Sequence, residues 1–563
     1  MSPFDSLRWA REGVAAFLRG LRRNRLAELR AGWGKPVARE RDLDLLRMYH
    51  DLVAEPGTTV DETTWQDLAL DEVFAQVDRT CSQAGGQVLY HQMRTYLDDD
   101  TRLAERTRQY RLFRQDAALR EAIQRALRPL ESRRTGWLAP LLVSPLPERP
   151  RHAWRWYLLS GLSLACLMGL FVVPSLPLFL AASGLLVINL VINETYGRKV
   201  TPHYRGFAQV DHLLTIVRSL AKVSDSHGLP QLEAIRARAP MAAALQKKLG
   251  WFARDRSQMG EAGTAIMGLL NLAFLLDILA FLRILEALRQ HQPELVDLLE
   301  AVGSLDAAIS VASYLEGAPC ACEPRLVEER RIEATGLCHP LLVEPVGHDL
   351  ALVDQSALIT GSNMAGKTTF IRTVAINVIL AQTLHFVLAE KATLPRAIVQ
   401  SSIRREDHLA SGQSYFFAEI ARVRTFLDAA EAGPLRLFVI DEIFRGTNTV
   451  ERIASATAVL RHLGVRHLAL VTTHDLELQD LLGEAYAMFH FEEQVLDGGC
   501  TFDYRLHPGP ARSRNAIRLL GVCGYPEPIT REALALADQI ARTYGPGPIL
   551  DPSHLPAGGD KTH

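Results

Sequence analysis

Hydrophobic and polar positions are arranged in two contrasting ways along this chain. In the first half, the run "WYLLSGLSLACLMGLFVVPSLPLFLAASGLLVINLVI" between Trp156 and Ile192 contains no charged side chain. In the second half, short apolar runs stop abruptly at polar clusters: "SALIT" before "GSNMAGKT", "LFVI" before "DE", and "LALV" before "TTH". The first pattern predicts long helices in apolar surroundings, and the second predicts short buried strands whose ends carry chemistry.

A helix crosses a bilayer core with roughly 17–25 apolar residues. Residues 156–173 and 176–192 each reach the lower end of that range. Pro174 and Pro177 in "VPSLP" break the helix and predict a tight turn. Arg149, Arg151 and Arg155 flank one side, Arg198 and Lys199 flank the other, and the turn is uncharged. Positive residues stay on the cytoplasmic side, so both ends are predicted inside. Trp154, Trp156, Tyr157 and Tyr196 fall where interfacial aromatics belong. The alternative is a hairpin buried in a large helical core. A third apolar stretch, residues 264–288, contains Asn271, Asp277 and Arg283. Charges at that depth are costly in lipid, and a third span would put the second half of the chain on the other side. It is therefore predicted as a long core helix. Near the start, Phe4, Leu7, Val14, Phe17, Leu18 and Leu21 share a helical face, while Arg8, Arg11 and Arg19 interrupt any secretory apolar core. A membrane-surface helix and a helix packed on the next domain both fit this pattern.

In the second half, "GSNMAGKT" fits the phosphate-loop spacing between a strand and a helix. Gly361, Ser362, Asn363, Met364, Ala365, Gly366, Lys367, Thr368 and Thr369 are the candidate ATP contacts. Glycines let the backbone wrap phosphates, and amide hydrogens at a helix start supply positive potential. Lys367 is expected to reach the β- and γ-phosphates, with the Thr368 hydroxyl on Mg²⁺. Asp441, ending the next strand, would hold Mg²⁺ through water. Glu442 would act as general base, and His474 would sense or stabilise the γ-phosphate. Taken singly, these residues could be a helix cap and a core histidine, but three strand ends in the right order point to a nucleotide hydrolase.

Composition adds limits. The chain has 563 residues, enough for about three or four domains. A net charge of -2 with 22% charged residues gives no global nucleic-acid signature. The arginine-rich stretch 102–134 is interspersed with acids and reads first as a solvated helix face. Seven scattered cysteines argue against a disulfide framework and for a reducing compartment. Cys320 and Cys322 are the only close pair and read as free thiols.

The motifs "TGSNMAGKTT", "DHLASGQSYFFAEI", "DEIFRGTNTVERIASA" and "TTHDLEL", with the lead-in "LCHPLL", resemble the ATPase domain of the MutS mismatch-repair family. Residues 60–97 and 302–314 resemble the start and end of that family's helical lever, and residues 513–537 resemble its C-terminal helix-turn-helix. The resemblance implies an α plus α/β protein: a lever domain carrying a transmembrane hairpin, then a P-loop ATPase domain. The expected domains are a basic amphipathic segment (1–57), the first half of the lever (58–150) and the hairpin (151–200). The second half of the lever (201–320), the ATPase (321–512), the dimerisation segment (513–544) and a disordered tail (545–563) follow. About sixty residues precede the lever, too few for mismatch-reading and connector domains, and the hairpin occupies roughly the slot of the DNA clamp. "FAE" (residues 417–419) matches the mismatch wedge but lies inside the ATPase motif. In "FRGTNT", Gly446, Thr447 and Asn448 are implied to reach a partner's γ-phosphate, and a helix cap is the local alternative. The resemblance implies a Mg²⁺-dependent ATP hydrolase and homodimer, anchored in the cytoplasmic membrane by two helices with both termini and the ATPase on the cytoplasmic side. Binding of mismatched or branched DNA is one extension of that reading. A membrane-tethered, nucleotide-dependent scaffold without DNA binding is the alternative.

Overall fold

The structure is a computed structural model that describes residues 27–127, 138–144, 146, 150–249, 261–361, 365–403, 415–431, 433–496, 499–510 and 525–543. The segment 1–26, with the predicted amphipathic helix, and the tail 545–563 lie outside the described residues. The chain forms two compact units. One comprises Met1–Thr59, Glu72–Pro319 and Thr383–His385, and the other Val60–Asp71, Cys320–Gln382 and Phe386–His563. The first is helical and the second is built on sheets, so the expected order of a helical part followed by an α/β part holds.

The helices up to the sheet unit run in chain order as α1 Leu43–Val53, α2 Glu62–Asp67, α3 Leu70–Val77, α4 Gln83–Arg94, α5 Asp100–Gln115, α6 Ala117–Leu127, α7 Leu138–Val143, α8 Trp154–Val172, α9 Leu176–Ile192, α10 Arg198–Leu220, α11 Pro230–Leu249, α12 Glu261–Phe274, α13 Leu276–Gln290 and α14 Gln292–Gly317. Local chemistry sets several starts. Asp42 caps α1 by accepting from Leu45 N, and Ser82 caps α4 by accepting from Gly85 N. The core of the helical unit is the packing of α4 against α14. Two glycines make it close: a Cβ on Gly85 would lie 2.2 Å from Asp306 Oδ2, and one on Gly303 would lie 2.5 Å from Val88 Cγ2. Asp306 is fully buried and accepts from Cys81 N (2.9 Å), Ser82 N (2.7 Å) and Ser82 Oγ (2.6 Å). Burial still pushes its carboxyl up to about 6.

Helices α8 and α9 are the predicted apolar hairpin. Both are long and apolar enough to cross a membrane. Pro177 sits in the first turn of α9, where a missing N–H is harmless. Most side chains of the pair face outward, Phe171 at 84% exposure. Their buried polar groups meet inside: Asn189 Nδ2 donates to Ser163 Oγ (3.0 Å) and to Ala273 O (2.8 Å). Near the open end, the Trp156 and Tyr196 rings meet edge to face at 4.5 Å.

The stretch expected as one long core helix is two. Leu275 takes a left-handed conformation (φ +51°), and the helices on either side are bent by 80°. The two halves also differ in packing. Helix α13 is deeply buried, with Ile278, Leu282 and Leu285 nearly inaccessible. The end of α12 packs on α8 and α9 and leaves Leu269 68% exposed. The break frees the carbonyl of Ala273, which Asn189 satisfies. Asn271, a reason for expecting a core helix, is buried beside Asn193 at 3.5 Å.

The second unit adds β1 Arg325–Val327, β2 Arg331–Leu337, β3 His348–Val353, β4 Ser356–Thr360, α15 Lys367–Thr383, β5 Lys391–Pro395, β6 Ile398–Ser402, α16 Tyr415–Ala430, β7 Arg436–Asp441, α17 Thr449–Arg466, β8 Leu468–Thr472, α18 Glu477–Leu482, β9 Tyr486–Leu496, β10 Gly499–Pro508 and α19 Glu527–Thr543. One sheet has the order β1-β5-β2-β3. The larger has the order β10-β9-β4-β8-β7-β6, parallel except for β10. Strands β4 and β8 are buried at every residue, which explains their unbroken apolar sequences. Helix α2, from the stretch resembling the start of the lever, belongs to this unit and covers the edge strand β6. Thr64 Oγ1 accepts from Ser401 N (3.0 Å), and Asp67 Oδ2 accepts from Ser401 Oγ (2.6 Å) and Ile403 N (2.9 Å).

Candidate nucleotide site

Three adjacent parallel strands, β4, β8 and β7, bring the predicted residues to one sheet edge. Ligands in open α/β sheets bind outside the carboxyl ends of such strands. After β4 the chain turns at Gly361, where a Cβ would lie 2.7 Å from Phe491 O. Ser362, Asn363 and Met364 lie outside the described residues. Ala365 is buried and is not at positive φ, so the alanine is tolerated there. Gly366 has φ +103°, which L side chains rarely adopt, and α15 starts at the next residue.

Lys367 is buried, with its Nζ donating to Gly361 O across the loop. Thr368 Oγ1 donates to Asp441 Oδ2 at 3.0 Å. Thr472 Oγ1, at the end of β8, donates to the other oxygen of Asp441. Two hydroxyls and one carboxylate thus meet where β7 and β8 end and α15 begins. Such hard oxygen donors suit Mg²⁺, which keeps several waters and takes one or two carboxylates.

Glu442 follows immediately. It has φ +61°, and Phe444 has φ +59°, so two side-chain-bearing residues hold a left-handed conformation within one turn. Strain of this kind persists only where surroundings impose it. Here Phe444 N donates to the buried carboxylate of Glu419, and Glu442 N donates to Thr472 O at 3.0 Å. The Glu442 side chain is buried between an ion pair with Arg445 and a 3.3 Å contact to His474 Nε2. Burial, then the charges of Lys367 and Arg445, pushes His474 down to about 4. The ring is therefore neutral near pH 7, so its 3.3 Å contact with Glu442 is not an ion pair there.

Gly446, Thr447 and Asn448 lead into α17, with Asn448 as its N-cap. Asn448 Oδ1 accepts from Glu451 N (3.0 Å), and Thr447 Oγ1 donates to Glu451 Oε2 (2.9 Å). The helix-cap alternative thus describes these residues within a single chain. A Cβ on Gly446 would lie 2.6 Å from Phe416 Cβ.

Sequence reasoning did not find a cavity of about 350 Å³ beside the loop, lined by Gly366, Thr369, His339, His348, Phe491 and Tyr504. The aromatic rings come from β9, β10 and the chain around β3, and no local spacing links them. The "CHP" lead-in marked only His339. Burial pushes His339 down to about 4, with Arg372 adding to it, and also lowers His348. Arg445 and Glu419 were missed as well, although both lie inside quoted motifs. A larger cavity of about 770 Å³ in the helical unit contains none of the predicted site residues.

A family model described as MutS domain V matches residues 357–541, a span holding the three strand ends, Glu442 and His474. The chain is 32% identical over 268 residues to the DNA mismatch repair protein MutS of Thermus thermophilus (46% of this chain, 32% of that protein). It is 35% identical over 223 residues to that of Thermus aquaticus (39% and 27%). It is 31% identical over 271 residues to that of Chloroflexus aurantiacus (46% and 28%). Residues 357–541 thus match the MutS domain V family, and about half of the chain is related to MutS proteins.

The match to these MutS proteins spans about a third or less of their length. Within the MutS domain V match, the tripeptide at 417–419 lies on α16. Its Glu419 accepts from Phe444 N. Of the segment resembling the dimerisation motif, residues 513–524 lie outside the described residues. Helix α19 is described and exposes Ile529, Leu534 and Leu536.

Proposed function

We propose that this MutS-type chain is a membrane-anchored, homodimeric ATPase of P-loop type that uses ATP as a conformational switch. The observation that carries the reading is the junction of Thr368 with Asp441 at 3.0 Å, next to a buried Glu442 that His474 orients. ATP would place its phosphates at the loop from Gly361 to Thr369. Its base would enter the aromatic cavity that begins at Gly366 and Thr369, where His348, Phe491 and Tyr504 offer stacking faces. Thr368 and Asp441 would hold Mg²⁺, which when bound neutralises charge on the phosphate oxygens. Lys367 would exchange its bond to Gly361 O for the β- and γ-phosphates. Glu442 would take the proton of the attacking water, and for this Arg445 must leave its carboxylate. His474, neutral at working pH, would keep Glu442 aimed. Gly446, Thr447 and Asn448 would face the γ-phosphate of a second copy while Asn448 keeps its capping bond.

The outward apolar faces of α8 and α9 support insertion in the cytoplasmic membrane, with both termini and the ATPase on the cytoplasmic side. Nucleotide-driven motion would pass along the helical unit to that hairpin. The relatives' names, DNA mismatch repair protein MutS, support a second reading in which the dimer also binds mismatched or branched DNA. A tethered nucleotide-dependent scaffold remains the non-enzymatic alternative.

The test is Glu442→Gln in full-length protein in detergent. MgATP binding should persist while turnover falls about 10²–10⁴-fold, the usual contribution of a general base. Unchanged turnover would remove Glu442 from the mechanism. Because His474 is held near 4, kcat/KM should show no inflection from this histidine between pH 5.5 and 8. Binding to mismatched and branched duplexes over a salt series decides the DNA reading, since several phosphate contacts impose a steep slope.

A further inference from the structure

The sulfurs of Cys320 and Cys338 lie 3.6 Å apart, with Cys320 Sγ donating to Cys338 Sγ and Cys338 Sγ donating to Gly336 O at 3.3 Å. Cys320 is partly exposed and Cys338 is buried. Eighteen residues separate them in sequence. A disulfide needs the sulfurs at about 2.05 Å, so closure asks for roughly 1.6 Å of movement, within reach of a rotamer change at the exposed partner.

Cys338 is tied to the candidate nucleotide site in two ways. Its neighbour His339 forms part of the wall of the aromatic cavity. Its carbonyl accepts from Asn377 Nδ2 at 3.0 Å, and Asn377 lies on α15, the helix that starts with Lys367 and Thr368. Asn377 Oδ1 also accepts from Leu388 N (2.8 Å), and Leu388 O accepts from Cys338 N (2.8 Å). A pull on Cys338 is therefore felt at both the cavity wall and the phosphate-loop helix.

We propose that Cys320 and Cys338 are a thiol–disulfide modification site, closed by exchange with a low-molecular-weight disulfide of the glutathione class, and that closure weakens nucleotide binding. The Cys320 thiolate attacks one sulfur of the small disulfide, forming a mixed disulfide and expelling one small thiolate. The Cys338 sulfur then attacks Cys320 Sγ, expelling the second small thiolate, which takes up the proton from Cys338. Two protein thiols and one small disulfide become one protein disulfide and two small thiols. Exposure assigns the entry role to Cys320. Burial and the adjacent sulfur push Cys338 up to about 12, so it does not start the exchange, and its position 3.6 Å from Cys320 Sγ gives it the resolving role. Cys322 is held by paired backbone bonds to Val387 (2.9 and 3.0 Å) and serves as the built-in control.

The regulatory half of this inference rests on the nucleotide reading above, but the disulfide does not. The experiment titrates full-length protein in detergent with oxidised and reduced glutathione, then digests it with trypsin without reduction. The expected product links the peptide 290–325 to the peptide 332–367 with loss of two hydrogens. It should persist in Cys322→Ser and vanish in Cys320→Ser. MgATP affinity should fall at least threefold on oxidation, recover on reduction, and stay at the reduced value in Cys320→Ser under both conditions. No linked peptide under full oxidation, or a link confined to Cys320 and Cys322, overturns the site. A correct link with unchanged affinity overturns its effect on nucleotide. If the reduced protein binds no nucleotide, the functional reading and the regulatory half both fall, while the peptide map still decides the disulfide.

Discussion

Helix α14 and the α8–α9 hairpin are both long, apolar and part of the same unit, yet they are solved in opposite ways. Sixteen of the 26 residues of α14 are buried, including Asp306, Ser310 and Ser313. In α8 only Ser163 is buried, and in α9 only Leu185 and Asn189. A helix that is apolar all round must be covered by protein or by lipid. Around α14 the cover is protein, and its polar groups serve neighbouring backbone: Asp306 holds the start of α4, and Ser310 Oγ accepts from Arg79 N (2.6 Å) and donates to Val77 O (2.8 Å). In the hairpin the arrangement is inverted. Polar atoms pair with one another inside, and the leucines, valines and phenylalanines point away. Apolar content alone does not separate the two cases. The direction in which the few polar groups face does.

The largest effect expected from breaking this contrast comes from replacing residues 156–192 with a short polar linker. The protein should move from the membrane fraction to the supernatant. Retention in the membrane fraction would place the anchor elsewhere. Next comes Asp306→Ala, which strands three donors, two of them buried. Loss of about 3 kcal/mol or more is expected in chemical unfolding in detergent, with membrane retention unchanged. Gly303→Ala should cost about 2 kcal/mol through overpacking against Val88 and Ala84 O. Asn189→Ala, in the hairpin, should cost only about 1 kcal/mol, since hydrogen bonds between membrane helices are individually weak. A loss as large as that of Asp306→Ala would mean that the hairpin is a protein core.

The sign of a pH effect sharpens the same contrast. Asp306 is pushed up to about 6 in the folded chain from an ordinary value near 3.8. Between those values the folded state binds more protons than the unfolded state, so stability should fall as pH rises from 4 to 6. Asp306→Asn should flatten that window, as read by thermal unfolding at stepped pH.

Much of this architecture was legible in the chain itself. The hairpin helices begin and end within two residues of the apolar runs, because Pro174 and Pro177 leave no choice about the turn. Strands β4, β7 and β8 could be read because each is a buried run ending in a polar cluster. What escaped was set by distance in sequence. Leu275 breaks a helix with no glycine or proline beside it to announce the break, and the helix before it packs on α8 and α9, far from it in sequence. The cavity ring of His348 comes from a segment more than a hundred residues before those of Phe491 and Tyr504, and Arg445 falls on Glu442 only once the turn after β7 is formed.

The small helix α2 has a practical consequence for anyone who wishes to cut this protein. Residues 60–71 are needed by the sheet unit, and residues 383–385 belong with the helices, so the backbone passes from one body to the other five times. A fragment begun at Cys320 would leave Ser401 and Ile403 without Thr64 and Asp67, an open flank ready to pair with a stranger. Expression of the sheet unit alone is best planned as a graft of the missing dozen residues rather than as a simple truncation.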